Sequence, residues 1–570
     1  VFRRLRAFFA NLSDSYRATA KVSLWLPVAV VVTFVVLEGF NPFGISDAAT
    51  ARSEEATLRI VAPYYTPSRE VVVVLIDDDY LRERQVGWPL RFAEQGRLLR
   101  QIASAGPSVI LLDLVYPHRH GDAAAGEGGD TIESLLNPIV NTSDPVISKV
   151  PVVLTAMARE LDTLPAGFDY CSHELRDSSP PLDILDPESL PDALQSRITP
   201  DGSGRFRAGY VRWSRCGNDY PLMLGGDVRA PTPVFAAYRA FCESPAHRSR
   251  CAASNPTDAP ADFVHPMIVR AGAFPPPEQK FAYSESTCQR AMPEKRSLST
   301  GERFLAAFQQ LTLGVFSDLR RAPDPQLALP CPAVAVLPLS RLQNASRADW
   351  ESLLRDKAVV LGADISGIPD IVQSPVHGQI PGAVWHAMAL DNLVSLGGSY
   401  LTERHAALKE YGGFVLLLLF AYLCPFILRM LEVHSIKRGL AWVSLTLWMG
   451  LALLYWGFGD GTAALICLAI GIGLDLTSPA ISVIYLLGVA VCAVISAMLL
   501  DQGMPPGNWL GLVLVAAAFG HTMKSYVKGS RRKAFPHEFS VLRTVHSTFV
   551  ALRDRRLDDP TELPVSGDRS

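Results

Sequence analysis

The chain has 570 residues, a formal net charge of −3 and 49% hydrophobic residues. That length exceeds one ordinary domain, and the slightly acidic balance argues against a nucleic-acid binder, which needs a basic face. The apolar residues are unevenly spread: the middle of the chain reads as a globular protein and the last third does not.

Residues 1–21 carry Arg3, Arg4, Arg6, Arg17 and Lys21. Val22–Leu37 is then apolar apart from Ser23 and Thr33. With Gly39 and Phe40 it approaches the roughly 20 residues that a membrane-spanning helix needs. A cleaved signal peptide using Ala48 and Ala49 is the alternative. The length of the stretch, and its start well inside the chain, favour an uncleaved transmembrane helix over 22–40.

Val71–Ile76 is a nearly continuous β-branched run, the pattern of a buried strand. Phe92–Ala105 places Leu98, Leu99, Ile102 and Ala103 on one helical face, and Gly106-Pro107 stops it. Val109–Val115 is a second buried strand, with Asp113 near its end. Strand, helix, strand gives an α/β core with at least one parallel pair. Val152–Ala156 predicts a third strand. Arg205–Trp213 and Tyr220–Leu224 predict two antiparallel strands around a turn containing Gly217 and Asn218. Phe235–Phe241 predicts a helix, Ala358–Leu361 a late strand of the same sheet, and Trp385–Val394 a helix leading out of the domain. Residues 243–300 are rich in Ser, Pro and charge and predict an insertion held by cysteine bridges.

After Glu410 the sequence changes character. Tyr411–Met430, Leu440–Phe458, Thr462–Leu476, Ala480–Leu500 and Trp509–Phe519 with its flanks predict five spans over 410–523, the third being short for a span and carrying Asp475 near its end. Lys437-Arg438 and the basic run Lys524–Lys533 mark the cytoplasmic side. With the N-terminal arginines also inside, residues 1–21 and 524–570 are cytoplasmic and residues 41–409 face outward. Asp475 and His521 lie where ionisable residues in lipid are functional candidates, although an interfacial position explains both. Cys171, Cys216, Cys242, Cys251, Cys288 and Cys331 all fall on the oxidising side and are disulfide candidates. Six cysteines allow 15 pairings, so the connectivity stays open.

Asp77, Asp78, Asp79 and Asp113 lie at strand ends, where parallel α/β sheets bind ligands. Asp364 and Asp370 follow the late strand. Such carboxylates suit a cationic ligand; Asp also caps loop and helix N–H groups, and the pattern favours capping. Trp88 and Arg91 suit a stacked support under the first loop. His118, His120 and Asp122 have ligand chemistry but sit in a glycine-rich loop and read as solvated. His386 and Asn392 on the last helix either couple the domain to the spans or satisfy buried backbone groups. Nothing has the spacing of a nucleophile elbow or a P-loop. The expectation is therefore no catalytic residues, no metal and no cofactor, and a chain that is not an enzyme.

The order Ile76-Asp77-Asp78, Trp88-Pro89 with Arg91, Asp113, Asp201-Gly202 with Arg205, Leu361-Gly362 with Asp370, Pro381-Gly382, His386-Ala387 and Asp391-Asn392-Leu393 resembles the CHASE2 family of bacterial extracytoplasmic sensory domains. The resemblance covers roughly 41–409 and extends to the flanking layout of one span before and several after. Two departures stand out. Residues 160–300 are longer and richer in cysteine than the resemblance implies. The family usually feeds a cytoplasmic cyclase, kinase or phosphodiesterase, whereas only Lys524–Ser570 follows the last span here.

The resemblance implies an α/β extracytoplasmic sensory domain plus an all-α transmembrane bundle, in a bacterial inner membrane with a large periplasmic domain. The expected role is a receptor-like sensor that takes an unknown extracytoplasmic ligand or protein, holds Asp77, Asp78, Trp88, Arg91, Asp113, Asp364 and Asp370 as ligand-site candidates, and signals through a separate cytoplasmic partner. Phe539, Leu542, Val545, Phe549 and Leu552 recur at helical spacing in the tail and offer that partner, or the lipid surface, an amphipathic face. A homo-oligomer is compatible with all of this. The alternatives are a structural subunit or anchor of a multiprotein membrane complex, and a transporter-like role using Asp475.

Overall fold

The computed structural model describes residues 45–114, 132–157, 204–211, 219–224, 230–251, 263, 265–272, 331–367 and 370–401. In chain order the helices are α1 (Ile45–Val61), α2 (Asp78–Arg84), α3 (Phe92–Ser104), α4 (Ile132–Val140), α5 (Pro233–Glu243), α6 (Arg248–Cys251), α7 (Leu339–Leu342), α8 (Arg347–Leu354) and α9 (Gly382–Leu396). The strands are β1 (Val71–Asp77), β2 (Val109–Leu112), β3 (Val152–Met157), β4 (Phe206–Val211), β5 (Asp219–Tyr220), β6 (Met223–Leu224), β7 (Ala230–Pro231), β8 (Met267–Ile268), β9 (Ala335–Pro338), β10 (Ala358–Asp364), β11 (Ile371–Ser374) and β12 (Gly378–Pro381).

Six strands form one parallel sheet in the order β4-β3-β2-β10-β1-β9. Such a sheet is covered on both faces, so its strands are apolar throughout rather than alternating with polar residues. The Val71–Ile76 run is accordingly buried along its whole length. Its side chains still divide by parity. Val72, Val74 and Ile76, with Ile110, Leu112, Val359 and Leu361, face the core under α3, α4, α7 and α8. Val71, Val73 and Leu75, with Val109, Leu111 and Val360, face the core under α5 and α9.

The predicted helix over 92–105 is α3, and it presents Leu98, Leu99, Ile102 and Ala103 to the first core. It ends at Gly106, whose φ of 73° is a conformation that favours glycine. The strands predicted at 109–115, 152–156 and 358–361 and the helices at 235–241 and 385–394 are β2, β3, β10, α5 and α9.

Among the described residues, the hairpin predicted from Arg205–Trp213 and Tyr220–Leu224 does not form. β4 instead lies parallel to β3 at the sheet edge, in register from Val152↔Phe206 to Met157↔Val211. β5 pairs with β8, and β6 with β7. The edge of β3 offers six ladder positions, and Val152 N–H donates to the Arg205 carbonyl at 2.8 Å, which outcompetes a short local turn. Arg205 also donates to the carbonyls of Val150 and Ile147 (3.2 and 2.6 Å), tying the start of β4 to the turn before β3.

The helix leading in and the segment leading out pack on one another. Leu58 and Val61 of α1 form a small core with Ile268 and Leu401, and Ile268 N–H donates to the Leu401 carbonyl at 2.8 Å. Buried Arg59 donates to the Pro375 carbonyl at 2.6 Å, fixing α1 to the β11–β12 turn. Cys242 and Cys251 form a disulfide that joins α5 to α6, and Cys331 is also disulfide-bonded. Among the described residues no helix is long and apolar enough to cross a membrane. The expected spans at 22–40 and 410–523, the tail, Cys171, Cys216, Cys288 and the loop with His118, His120 and Asp122 lie outside the described residues.

Candidate functional site

The carboxyl ends of β1, β2 and β10 lie together at one edge of the sheet, because parallel strands in register end on the same side; Asp77 and Asp364 are direct neighbours there. The aspartates at this edge divide into two groups.

Asp77 and Asp78 cap. Asp77 accepts from Ser340 N–H at 3.0 Å and from the Ser340 hydroxyl at 2.5 Å, closing the first turn of α7. Asp78 accepts from the N–H and hydroxyl of Ser366 at 3.1 and 2.6 Å, tying the first loop to the turn after β10. Each carboxylate satisfies donors that would otherwise have no partner. Asp79 pairs on the surface with Arg82, and Asp364 is exposed at the end of its strand. Trp88 is half-buried and packs against the first core, while Arg91 is exposed just before α3. The expected stacking of Arg91 on Trp88 is not found among the described residues: the indole turns inward and the guanidinium stays in water.

Asp113 and Asp370 belong to a different arrangement. Asp113 follows β2 and is held to β10 by its N–H, which donates to the Leu361 carbonyl at 2.8 Å. Its carboxylate Oδ1 lies 3.5 Å from His386 Nε2, with only 10% of its side chain and 16% of the histidine's exposed. His386 stands one turn into α9. Its Nδ1 shares a 2.7 Å hydrogen bond with the Tyr220 hydroxyl, and the two rings meet edge to face at 5.5 Å between centroids. Asp370 enters just before β11. It is exposed as a residue, but its carboxyl folds back toward Gly382, the first residue of α9, and its backbone carbonyl accepts from Gly382 N–H at 3.1 Å.

Two glycines make this convergence possible. A Cβ on Gly382 would stand 2.9 Å from the Asp370 Cγ and closer still to one of its oxygens. A Cβ on Gly362 of β10 would overlap the Ala383 Cβ and reach 3.8 Å from the Asp113 Cβ. The absence of side chains at these two positions lets the start of α9 sit directly on the sheet edge beside both carboxyls.

Burial controls the chemistry. It pushes the Asp113 carboxyl up to about 7. Burial pushes the Asp370 carboxyl up to about 6, raised further by the nearby Asp113 and held down in part by His386. Removing a carboxylate from water disfavours its charged form, and a second carboxylate nearby adds to that. Burial thus brings both carboxyls toward neutral pH.

The far half of the same helix holds a second polar group with every partner in place. Asp391 is buried and accepts from the Tyr65 hydroxyl at 2.6 Å and from the Ser68 N–H and hydroxyl at 2.9 and 2.6 Å. Asn392 accepts from Arg270 N–H at 2.8 Å and donates to the Arg270 and Met388 carbonyls at 3.0 and 2.9 Å. Burial drives the Tyr65 hydroxyl well above its ordinary value, with Asp391 adding to the effect. This clamp ties α9 to the strap between α1 and β1 and to the segment that starts at β8.

Of the residues singled out in the sequence, Asp113, Asp370 and His386 are brought together. Asn392 satisfies buried backbone groups. Tyr220 was not visible beforehand; as one aromatic in a two-residue strand, 166 positions from His386, it carries no local signal.

A family model for the CHASE2 domain matches residues 28–424. The chain belongs to the CHASE2 family. CHASE2 is a family of extracytoplasmic sensory domains, so the α/β unit described above is a CHASE2 domain. The match runs past 41–409 at both ends, taking in residues 28–40 and 410–424 of the flanking apolar stretches. No curated protein and no solved structure matches the chain.

Proposed function

We propose that this CHASE2 protein is a receptor-like sensor of a bacterial inner membrane. Its α/β domain faces the periplasm, and a separate cytoplasmic protein receives the signal through residues 524–570. The observation that carries the reading is the double attachment of α9. Its first turn bears His386 beside Asp113 and Asp370, and its third turn bears the Asp391–Asn392 clamp on the segments that join α1 and Leu401. A change of charge or occupancy at the first turn has a rigid helix through which to reach both connections. A sensor needs such an element, with two seatings that its signal favours differently. The Cys242–Cys251 disulfide supports the periplasmic placement, since such bonds persist in oxidising compartments.

The test uses the full chain, purified from membranes with and without residues 534–570. The sensor reading expects a cytoplasmic protein to co-purify and to be lost with the tail. Partners that remain after the deletion and bind residues 41–409 would replace it with the reading of a structural subunit of a membrane complex.

A further inference from the structure

We infer that Asp113, Asp370, His386 and Tyr220 form a proton-operated switch, in which the charge on the two carboxyls sets how the first turn of α9 sits on the sheet edge. The inference rests on the reading of this cluster as the sensing site and names the signal as the proton itself.

Four elements contribute the titratable groups. The end of β2 gives Asp113, the approach to β11 gives Asp370, α9 gives His386 and β5 gives Tyr220. The neighbouring strand ends add Asp77, already engaged with Ser340, and exposed Asp364. Among the described residues no arginine or lysine shifts either carboxyl, and His386 is the basic side chain that meets them. When both carboxyls ionise they repel, and the backbone contact at Gly382 together with the close seat at Gly362 leaves the helix start no room to absorb the strain in place. The first turn therefore lifts. When a proton returns, one carboxyl becomes a donor and the seat closes. The hydrogen bond between the Tyr220 hydroxyl and His386 Nδ1 fixes the imidazole orientation in the closed seat.

The test is hydrogen–deuterium exchange of the full chain in lipid nanodiscs between pH 5 and pH 8, with labelling times scaled for the intrinsic exchange rate. The expected result is a loss of protection in peptides covering 381–388 as the pH rises through about 6 to 7, several-fold in exchange rate, while β1 stays protected. Asp370→Asn, a change at an exposed residue, is expected to fold and to leave a single step; Asp113→Asn with Asp370→Asn flattens the profile, and Glu351→Gln on α8 leaves it unchanged. A wild-type profile flat over this range, or a step that persists in the doubly substituted chain, overturns the switch. Partner capture by the tail is measured separately. A flat profile with capture intact removes the switch and leaves the sensor, whereas an intact step without capture removes the sensor.

Discussion

Asp113 and His386 meet at 3.5 Å, one from the end of a central strand and the other from the first turn of α9, 273 residues further along the chain. Both side chains are nearly buried, so the pair sets two titratable groups where the end of the sheet meets the helix. The energetics of the domain near neutral pH follow from this.

A carboxyl whose value is raised on folding holds its proton more tightly in the folded state. Its contribution to stability is full below the ordinary value of 3.8 and is lost as the pH rises through the folded values, about 6 for Asp370 and about 7 for Asp113. The domain is thus expected to unfold at a lower temperature at pH 8 than at pH 5.5. Thermal unfolding across that interval checks the sign; a midpoint that climbs with pH contradicts it.

Gly362→Val should be severe. The new side chain must enter the space of Ala383, and forcing extra carbons into a packed core costs about 1–3 kcal/mol. The damage should be local first, with α9 losing exchange protection before the β1–β10 ladder does. Denaturant unfolding together with hydrogen exchange separates these two effects.

The Asp391 clamp makes a different prediction. Asp391→Ala removes the carboxylate that accepts from the buried Tyr65 hydroxyl and from both half-buried Ser68 donors. Each such loss costs about 1–3 kcal/mol, so this single change should lower stability more than Asp78→Ala, whose carboxylate is exposed. Comparison of the two midpoints decides it. The strap at 65–70 should also become sensitive to protease in the first variant alone.

The Cys242–Cys251 bridge closes a short loop, its cysteines nine positions apart. Replacing both by serine is expected to cost about 2–3 kcal/mol. In protein drawn directly from membranes, these thiols should resist alkylation until a reductant is added.

The sheet was largely legible because its strands are dense apolar runs that can be only buried strands or spans, and Val71–Ile76 is too short for a span. Helices α3 and α9 were legible from their apolar residues, and α3 also from the Gly106-Pro107 stop, whereas the start of α9 lies at Gly382, three residues before the predicted Trp385. What escaped was decided by distant partners. β9 follows Pro332 and ends on Pro338, prolines that argue against a strand except at an edge, and an edge is where it sits, beside β1. α1 buries Ser53, Thr57 and Arg59, so its inward face does not read as apolar. β4 was visible as a strand, but its pairing was not, since a neighbouring segment and β3, about 50 residues earlier, offered equivalent patterns. At the site, Asp113, Asp370 and His386 could be singled out, yet which aspartates cap and which stay buried depends on Ser340, Ser366 and Gly382, each far away in the chain.

The account rests most heavily on residues 41–409 lying outside the cytoplasm with both chain ends within it. Protease added to intact spheroplasts carrying an epitope at each end of the chain tests this directly. The account predicts cleavage within 41–409 and survival of both epitopes. Loss of the epitopes with 41–409 left whole would contradict it.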